Sequence, residues 1–472
     1  MSDFRITSFE INRLYGDSTL SIPIVDNNLL IVGLNGAGKT TLLNIFYYFI
    51  SRQWSRLAGY DFASACAVVN DRKLRVSREE IEAARDLFPL PPDVADVRRP
   101  ELMTIVDRLA SDSRFAQRMR SAYVDLAQMR NVLRQNDMPP VTIEDARILR
   151  NMLAHGSELS MFSENLRDVH EFLGSTIDAQ ILYLPTYRRI EKELSAVLPG
   201  LEAELRRYED SRRRSRAGRE SRFIEFVEFG MDDVVGKLKA TLLQQNDAAR
   251  TELNNLASQY LRDVLRGEGS DYNAEVISSL DEDDVEDILN RVEEKTLSDG
   301  DKARLRDVIG TVRSDQQLDT SARYVAHFFE KLVAARQKLR ENETPISTFV
   351  EVCNAYLDDK DLVYNNVDYR IDVVRKERLV QFSSLSSGEK QIVSLFSHLY
   401  LGAASSYIVV IDEPELSLSV NWQKKFLPDI RSSGRCAFVA AATHSPFIFD
   451  NVLESYALDL GEYIIRNAST EA

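Results

Sequence analysis

An α/β fold interrupted by a large, mainly helical insertion is the class this 472-residue sequence predicts, and three observations carry it. First, "NNLLIVGLNGAGKTTLLNIFYYF" passes from an apolar stretch through a glycine loop into an apolar stretch of helical length. Second, "YIVVIDEPELSL" sets an unbroken apolar run directly before two carboxylates, Asp412 and Glu413. Such a run marks a strand buried on both faces. Third, Val234, Leu238, Leu242, Ala249, Leu253, Leu256, Tyr260 and Val264 share one stripe of a helix beginning at Met231. Its roughly 33 residues would span about 50 Å.

In chain order, strands are expected at 4–11, 19–25 and 29–33. The segment "LLNIFYYFI" after the glycine loop is apolar all round, which reads as a buried helix. From about 70 to 175 the pattern is mostly helical, interrupted at "FPLPPD" and "DMPP". Gln180 to Leu184, ended by Pro185, reads as a strand that returns to the α/β part. From Asp361 the chain reads as strands again and leads into "LSSGEKQIVSLFSHLYL". There Ser386 suits a helix N-cap, Gly388 permits close backbone approach, and Ile392, Leu395, Phe396 and Leu399 form one buried face. The domains expected are a head built from 1–70 and 346–472, and a helical insertion over 71–345 in which 177–190 returns to the head.

Composition narrows the class. With 44% hydrophobic and 28% charged residues the chain is globular, and a net charge of −15 argues against a general nucleic-acid wrapper. Cys66, Cys353 and Cys436 are far apart and form no CxxC, so neither a disulfide framework nor structural zinc is expected, and a reducing cytoplasm fits. The charged N-terminus is no signal peptide, and no apolar run approaches the ~20 residues of a membrane span. Eight arginines between Arg206 and Arg222 read first as a solvated helix end or loop, and second as a patch for nucleic acid or an acidic partner. "DEDDVED", Asp281 to Asp287, reads as a solvated acidic face that could pair with that stretch.

"GLNGAGKT" satisfies G-x-x-x-x-G-K-[ST] in full. Backbone N–H groups across Asn35, Gly36, Ala37 and Gly38 would curl around phosphate oxygens, with Thr41 in the first helical turn. Lys39 would reach the β/γ-phosphates, and Thr40 would offer its hydroxyl to Mg²⁺. Asp412 would hold Mg²⁺ directly or through water, and Glu413 would polarise the attacking water. His444, just after "CAFVAAAT", reads as a core histidine at a strand end or as a polar sensor of the γ-phosphate. Tyr15 would stack on a base or belong to the core of the first strands, and Arg188 and Arg189 would meet phosphate, a neighbouring chain or a surface salt bridge.

Taken in this order, glycine loop, "LSSGEKQ", Asp-Glu strand and histidine resemble the ATP-binding-cassette type of ATPase head. The form of "LSSGEKQ" is similar to the branch shared by RecF, the SMC proteins and the OLD ATPases, with Ser387 where that family often has glycine. The resemblance implies ATP and Mg²⁺ as cofactors, ATP hydrolysis, and catalytic roles for Lys39, Glu413 and His444. It also implies that Ser386 and Gly388 of one copy face the glycine loop of another across an ATP sandwich. The oligomer implied is a dimer or a higher ring, up to a hexamer. Ser417 and Leu418 match the interface loop of the family, and Gln180 is the nearest candidate for its Mg²⁺- and water-sensing glutamine.

"ILYLPTYRRIEKEL", "VEFGMDDVVGKLK" and "FSSLSSGEKQIVSLFSHLYL" are similar to the stand-alone ATPases of bacterial anti-phage systems, above all the ATPase subunit of the PARIS system. That likeness implies a sensor that holds a separate Toprim-type nuclease effector and releases it when a phage-encoded trigger protein appears. A RecF-like DNA-repair ATPase is the alternative, with nucleic acid as ligand. Long heptad arms with a zinc hook are disfavoured by Pro89, Pro91, Pro92, Pro139 and Pro140. A transporter's ATPase rarely carries so large an insertion.

Overall fold

The computed structural model describes residues 4–16, 18–85, 105, 117–119, 125–136, 138, 163–186, 223–225, 231–290 and 297–466. The proline-broken stretches "FPLPPD" and most of "DMPP", Arg188, Arg189 and the Arg206–Arg222 cluster lie outside them. In chain order the elements are β1 (Ile6–Leu14), β2 (Ser18–Pro23), β3 (Asn28–Val32), α1 (Lys39–Ile50), β4 (Ser64–Val69), β5 (Arg72–Ser77), α2 (Glu164–Thr176), β6 (Gln180–Leu184) and β7 (Phe223–Glu225). Then come α3 (Met231–Leu265), α4 (Glu282–Asn290), α5 (Asp299–Arg313), α6 (Thr320–Asn354), β8 (Asp361–Asn365), β9 (Arg370–Arg375), β10 (Arg378–Val380) and α7 (Ser387–Leu401). The chain closes with β11 (Tyr407–Asp412), α8 (Val420–Ser432), β12 (Cys436–Thr443), β13 (Ala457–Asp459) and β14 (Ile464–Arg466). Two compact units result, residues 1–228 with 404–472, and residues 229–403.

The first unit has two sheets with α1 in its core. One is antiparallel, in the order β14-β2-β1-β4-β5, and the other is parallel, in the order β13-β3-β12-β11-β6-β7. Phe46 of α1 packs edge-on to Phe9 of β1 at 5.2 Å and stacks on Phe438 of β12 at 5.4 Å. The helix is therefore covered on two sides, which is why its sequence is apolar all round. Asn27 joins the sheets: its amide donates to Phe4 O and Ala437 O while its oxygen accepts from Ile6 N.

The strand β5 was not visible in the sequence, where the helical pattern was taken to begin at about 70. Asn70 and Asp71, at φ 46° and 62°, form the two-residue turn that pairs Val69 with Arg72. Asn and Asp tolerate the left-handed conformation that such hairpins demand. Asp26-Asn27 repeats the device before β3, and Lys376-Glu377 between β9 and β10.

In the second unit α3 spans 35 residues. Val234, Leu238, Leu242, Ala249 and Leu256 are buried as the stripe requires, whereas Leu253 is exposed. The acidic run "DEDDVED" forms most of α4 and pairs within the unit. Glu286 meets Arg306 at 2.6 Å and Asp287 meets Arg336 at 2.7 Å, so arginines of α5 and α6 offset two of its six acids. Val285, Ile288 and Leu289 on its other face join a core with Leu305, Ile309, Phe329 and Leu332. The strands after Asp361 form a three-stranded antiparallel sheet of their own, β10-β9-β8. Among the described residues no helix is long and apolar enough to cross a membrane.

Buried in α7, His398 accepts from Lys237 of α3 at 3.1 Å through Nδ1, in the neutral tautomer. Burial, and then the Lys237 charge, push its pKa down to about 3. An unfolded histidine titrates near 6.5, so stability is complete above that pH and is lost as acid protonates the unfolded chain. The expected loss is about 1.4 kcal/mol per pH unit below about 6.5. His398→Gln, which retains an acceptor for Lys237, should flatten this slope by one proton in urea titrations at pH 7 and pH 5.5. An unchanged slope would assign the acid sensitivity to other groups.

Candidate functional site

Parallel pairing brings four strand ends to one edge. Val32 of β3 lies opposite Thr443 of β12, Asp412 of β11 opposite Ala442, and Leu184 of β6 opposite Ile411. The segments leaving these ends carry Gly33–Thr40, His444, Glu413 and Thr186. Sites on parallel sheets form at this carboxyl edge.

In the glycine loop, Gly36 and Gly38 adopt φ 80° and 93°. A Cβ added at either would meet nothing within 4 Å, so the loop bounds open space. The Ala37 N–H donates to Leu34 O at 3.2 Å, and Asn35 is exposed while Thr41 is half-buried. α1 has no side-chain cap: Gly38 is its N-cap, so no side chain accepts from its first-turn N–H groups. An uncapped helix N-terminus facing an open glycine loop is a ready anion cradle. Lys39 Nζ donates to Gly33 O at 2.7 Å and Leu34 O at 3.0 Å, curling over the loop.

Asp412 is buried and is approached by two hydroxyls. Thr40 Oγ1 donates to its Oδ1 at 3.2 Å, and Thr186 Oγ1 donates to its Oδ2. The Thr40 hydroxyl and the Asp412 carboxylate are thus oxygen donors close enough to share one hard cation, and they fit Mg²⁺. Gln180 is excluded from this place. It pairs with Tyr407 at the opposite end of β11, about 17 Å from Asp412 at ~3.3 Å per residue. Thr186, beyond the carboxyl end of the same strand, stands where the glutamine was sought.

Glu413 follows at φ 49°, its N–H bonded to Ala442 O at 2.8 Å. Burial first, then the Asp412 and Glu415 charges, push its pKa up, against the opposing pull of His444 and Lys39. Glu415 was overlooked in the sequence. Its carboxylate is 7% exposed, lies 3.0 Å from His444 Nδ1, and accepts from the His444 N–H at 3.0 Å and from Thr443 Oγ1 at 2.8 Å. His444 itself is 45% exposed, so it is a presented imidazole and not a core residue. The network continues: Ser445 Oγ donates to Gln423 Oε1 at 2.6 Å, and Gln423 Nε2 donates to Leu418 O at 3.0 Å. The loop holding Ser417, at φ 66°, and Leu418 is thereby tied to the histidine turn. The pattern that would have found Glu415 is the "DEPE" spacing, with its third carboxylate two positions beyond the pair. Tyr15 is 61% exposed at φ 50°, which removes it from the core of the first strands.

Ser386 and Gly388 belong to the second unit, at the start of α7. Ser386 Oγ accepts from the Glu389 N–H at 3.3 Å and Glu389 Oε2 accepts from the Ser386 N–H at 2.6 Å, a complete capping box. Gly388 and the predicted face Ile392, Leu395, Phe396 and Leu399 are buried.

The family model described as "AAA domain, putative AbiEii toxin, Type IV TA system" matches residues 187–450, more than half of the chain. Solved structures with similarity include the Smc head domain with an extended coiled coil bound to the C-terminal domain of ScpA from Pyrococcus furiosus. It is 12% identical, with 94% of this chain and 91% of that chain covered and a TM-score of 0.32. Another is the Smc head domain with a coiled coil and joint from Pyrococcus yayanosii, 13% identical, with 94% and 93% covered and a TM-score of 0.29. No curated protein matches the sequence.

Thr186→Val should lower stability by about 1–3 kcal/mol, because it removes the hydroxyl donor to Oδ2 of a buried carboxylate. The readout is the urea midpoint, with Thr186→Ser restoring it. A valine variant as stable as wild type would mean that water replaces the hydroxyl without cost.

Proposed function

The chain belongs to the AAA-domain family whose model spans residues 187–450, and on that premise we propose that it is an ATP-binding and ATP-hydrolysing sensor and scaffold of a bacterial anti-phage defence system. The carrying observation is the 3.2 Å contact between Thr40 and Asp412, which joins an open glycine cradle to a carboxylate pair. Gly36, Gly38 and the first turn of α1 receive the triphosphate through backbone N–H groups. Lys39 Nζ exchanges its two carbonyl partners for phosphate oxygens, a charge-assisted contact. Thr40 and Asp412 hold Mg²⁺, which supplies neutralising charge to the phosphates when bound. Glu413 accepts a proton from the attacking water, and its raised pKa makes it a stronger base than an ordinary glutamate. His444, oriented by Glu415, donates to the terminal phosphate.

In this reading Ser386 and Gly388 of one copy complete the site of a second copy, giving a dimer or a higher ring. The likeness of "ILYLPTYRRIEKEL" and neighbouring segments to defence ATPases supports a separate nuclease effector, held until a phage-encoded trigger protein arrives. The toxin named in the family description favours a second reading, in which the chain is itself a toxin of a toxin–antitoxin pair. Growth arrest on expression without the genomic neighbour would favour that second reading.

Lys39→Ala should weaken ATP binding by about 10- to 150-fold, the worth of a hydrogen bond to a charged group. Wild-type affinity in a fluorescent-nucleotide titration would remove Lys39 from the site. Glu413→Gln should bind ATP normally and release phosphate about 10²–10⁴-fold more slowly. In wild type, hydrolysis should fall off on acidification at a higher pH than an ordinary glutamate would set, since the base acts only when deprotonated. The solution mass of Glu413→Gln protein with Mg-ATP, alone and co-expressed with its genomic neighbour, tests the assembly. A stable complex with the neighbour supports sensor and effector, and a dimer that responds to DNA instead supports the RecF-like alternative.

A further inference from the structure

The turn that presents Ser386 is anchored by a lysine from another part of its unit. Lys360 sits between the end of α6 and the start of β8. Its ammonium lies 2.9 Å from Glu389 Oε1 and 3.1 Å from Oε2. Lys360 is 11% exposed and Glu389 6%, so little water competes for either charge. Glu389 Oε2 is also the acceptor for the Ser386 N–H. One carboxylate thus carries both the lysine and the cap.

Lys360 is itself held. Asn354, the last residue of α6, brackets Leu362 of β8 by donating to its carbonyl at 2.9 Å and accepting its N–H at 2.7 Å. Asp359 adds a second contact to Lys360 at 3.1 Å and one to Arg375 at 2.7 Å. Asp359 and Arg375 are about half exposed, and such surface pairs contribute little. The weight falls on Lys360 and Glu389. Among the hydrogen bonds of the described residues, the Ser386 hydroxyl accepts from Glu389 N and donates to none, and Ser386 is exposed. The hydroxyl is therefore accessible at the surface of the turn.

We propose that Lys360 is the positioning residue of this turn. It fixes Glu389, Glu389 fixes Ser386, and the end of α6 thereby sets whether the serine hydroxyl can meet the terminal phosphate of a nucleotide bound by a second copy. The phosphate contact rests on the ATP-sandwich reading, whereas the linkage from Lys360 to Ser386 stands on this unit alone. The long helix α6 becomes the lever of the turn: a displacement of its end moves Lys360 and releases the cap.

The test uses the full chain with Glu413→Gln as parent. Lys360→Met keeps the aliphatic stem and removes the charge, and Lys360→Arg keeps the charge. Amide exchange over Ser386–Lys390 without nucleotide should rise about tenfold or more in Lys360→Met and stay near the parent in Lys360→Arg. ATP-driven association should weaken about tenfold or more in Lys360→Met with unchanged binding of a fluorescent ATP analogue. Parent-like exchange in Lys360→Met overturns the proposal. If the parent does not associate with ATP, the sandwich reading fails, and the exchange result still decides the linkage. If Lys360→Met fails to fold because Glu389 is left buried and unpaired, Lys360→Met with Glu389→Gln removes both charges. Faster exchange at Ser386 than in Glu389→Gln alone supports the linkage there, and exchange equal to that single variant in the folded double variant overturns it.

Discussion

Parallel pairing of β12 with both β3 and β11 sets everything else in the candidate site. Parallel neighbours end at the same edge, so the turns leaving them converge although they are hundreds of residues apart in sequence. Thr40 and Asp412 touch across 372 positions for this reason alone. The pairing also dictates composition. Strands inside a parallel sheet are covered on both faces, which is why β11 and β12 are runs of Val, Ile and Ala with no polar alternation.

Buried charge is handled differently in the two units. Around Asp412 the carboxylates meet hydroxyls, a backbone N–H and an imidazole. Asp412 leans on hydroxyls, Glu415 on a hydroxyl, a backbone N–H and His444, and Glu413 responds with a raised pKa. Three carboxylates gathered at one sheet edge suit a site that receives a cation. In the second unit the largely buried Lys360 pairs with buried Glu389, and two of the more exposed α4 acids, Glu286 and Asp287, pair with Arg306 and Arg336. Pairing of that kind fixes geometry more than it adds stability.

Glu415 ties two turns into one body. Through Thr443 and His444 it anchors the end of β12, and through Ser445 and Gln423 the same turn reaches Leu418. A histidine so held retains its direction although nearly half its side chain is open to solvent. Rigid support behind an exposed polar tip is what a contact with a charged ligand requires.

Much of the fold was legible because it rests on local patterns. The glycine loop, the unbroken apolar run before Asp412, the cap at Ser386, the β6 strand ended by Pro185 and the stripe of α3 each follow from periodicity or turn chemistry within a short window. Strand β5 was missed because its signal is the Asn70-Asp71 turn and not its apolar content. Leu253 was misassigned because a stripe predicts a face, while burial depends on what packs against each position of it: Ala249 and Leu256 on either side are covered and Leu253 is not. Gln180 was misplaced because the identity of a strand says nothing of which end meets the site. The sequence by itself determined the glycine loop, the carboxylate pair and the α/β class, since each is written in contiguous residues. Only the tertiary structure decided that Thr186 meets Asp412, that Glu415 holds His444 and that Lys360 pairs with Glu389. Those contacts join residues 29 to 226 positions apart, and strand order and helix packing, not local propensity, choose such partners.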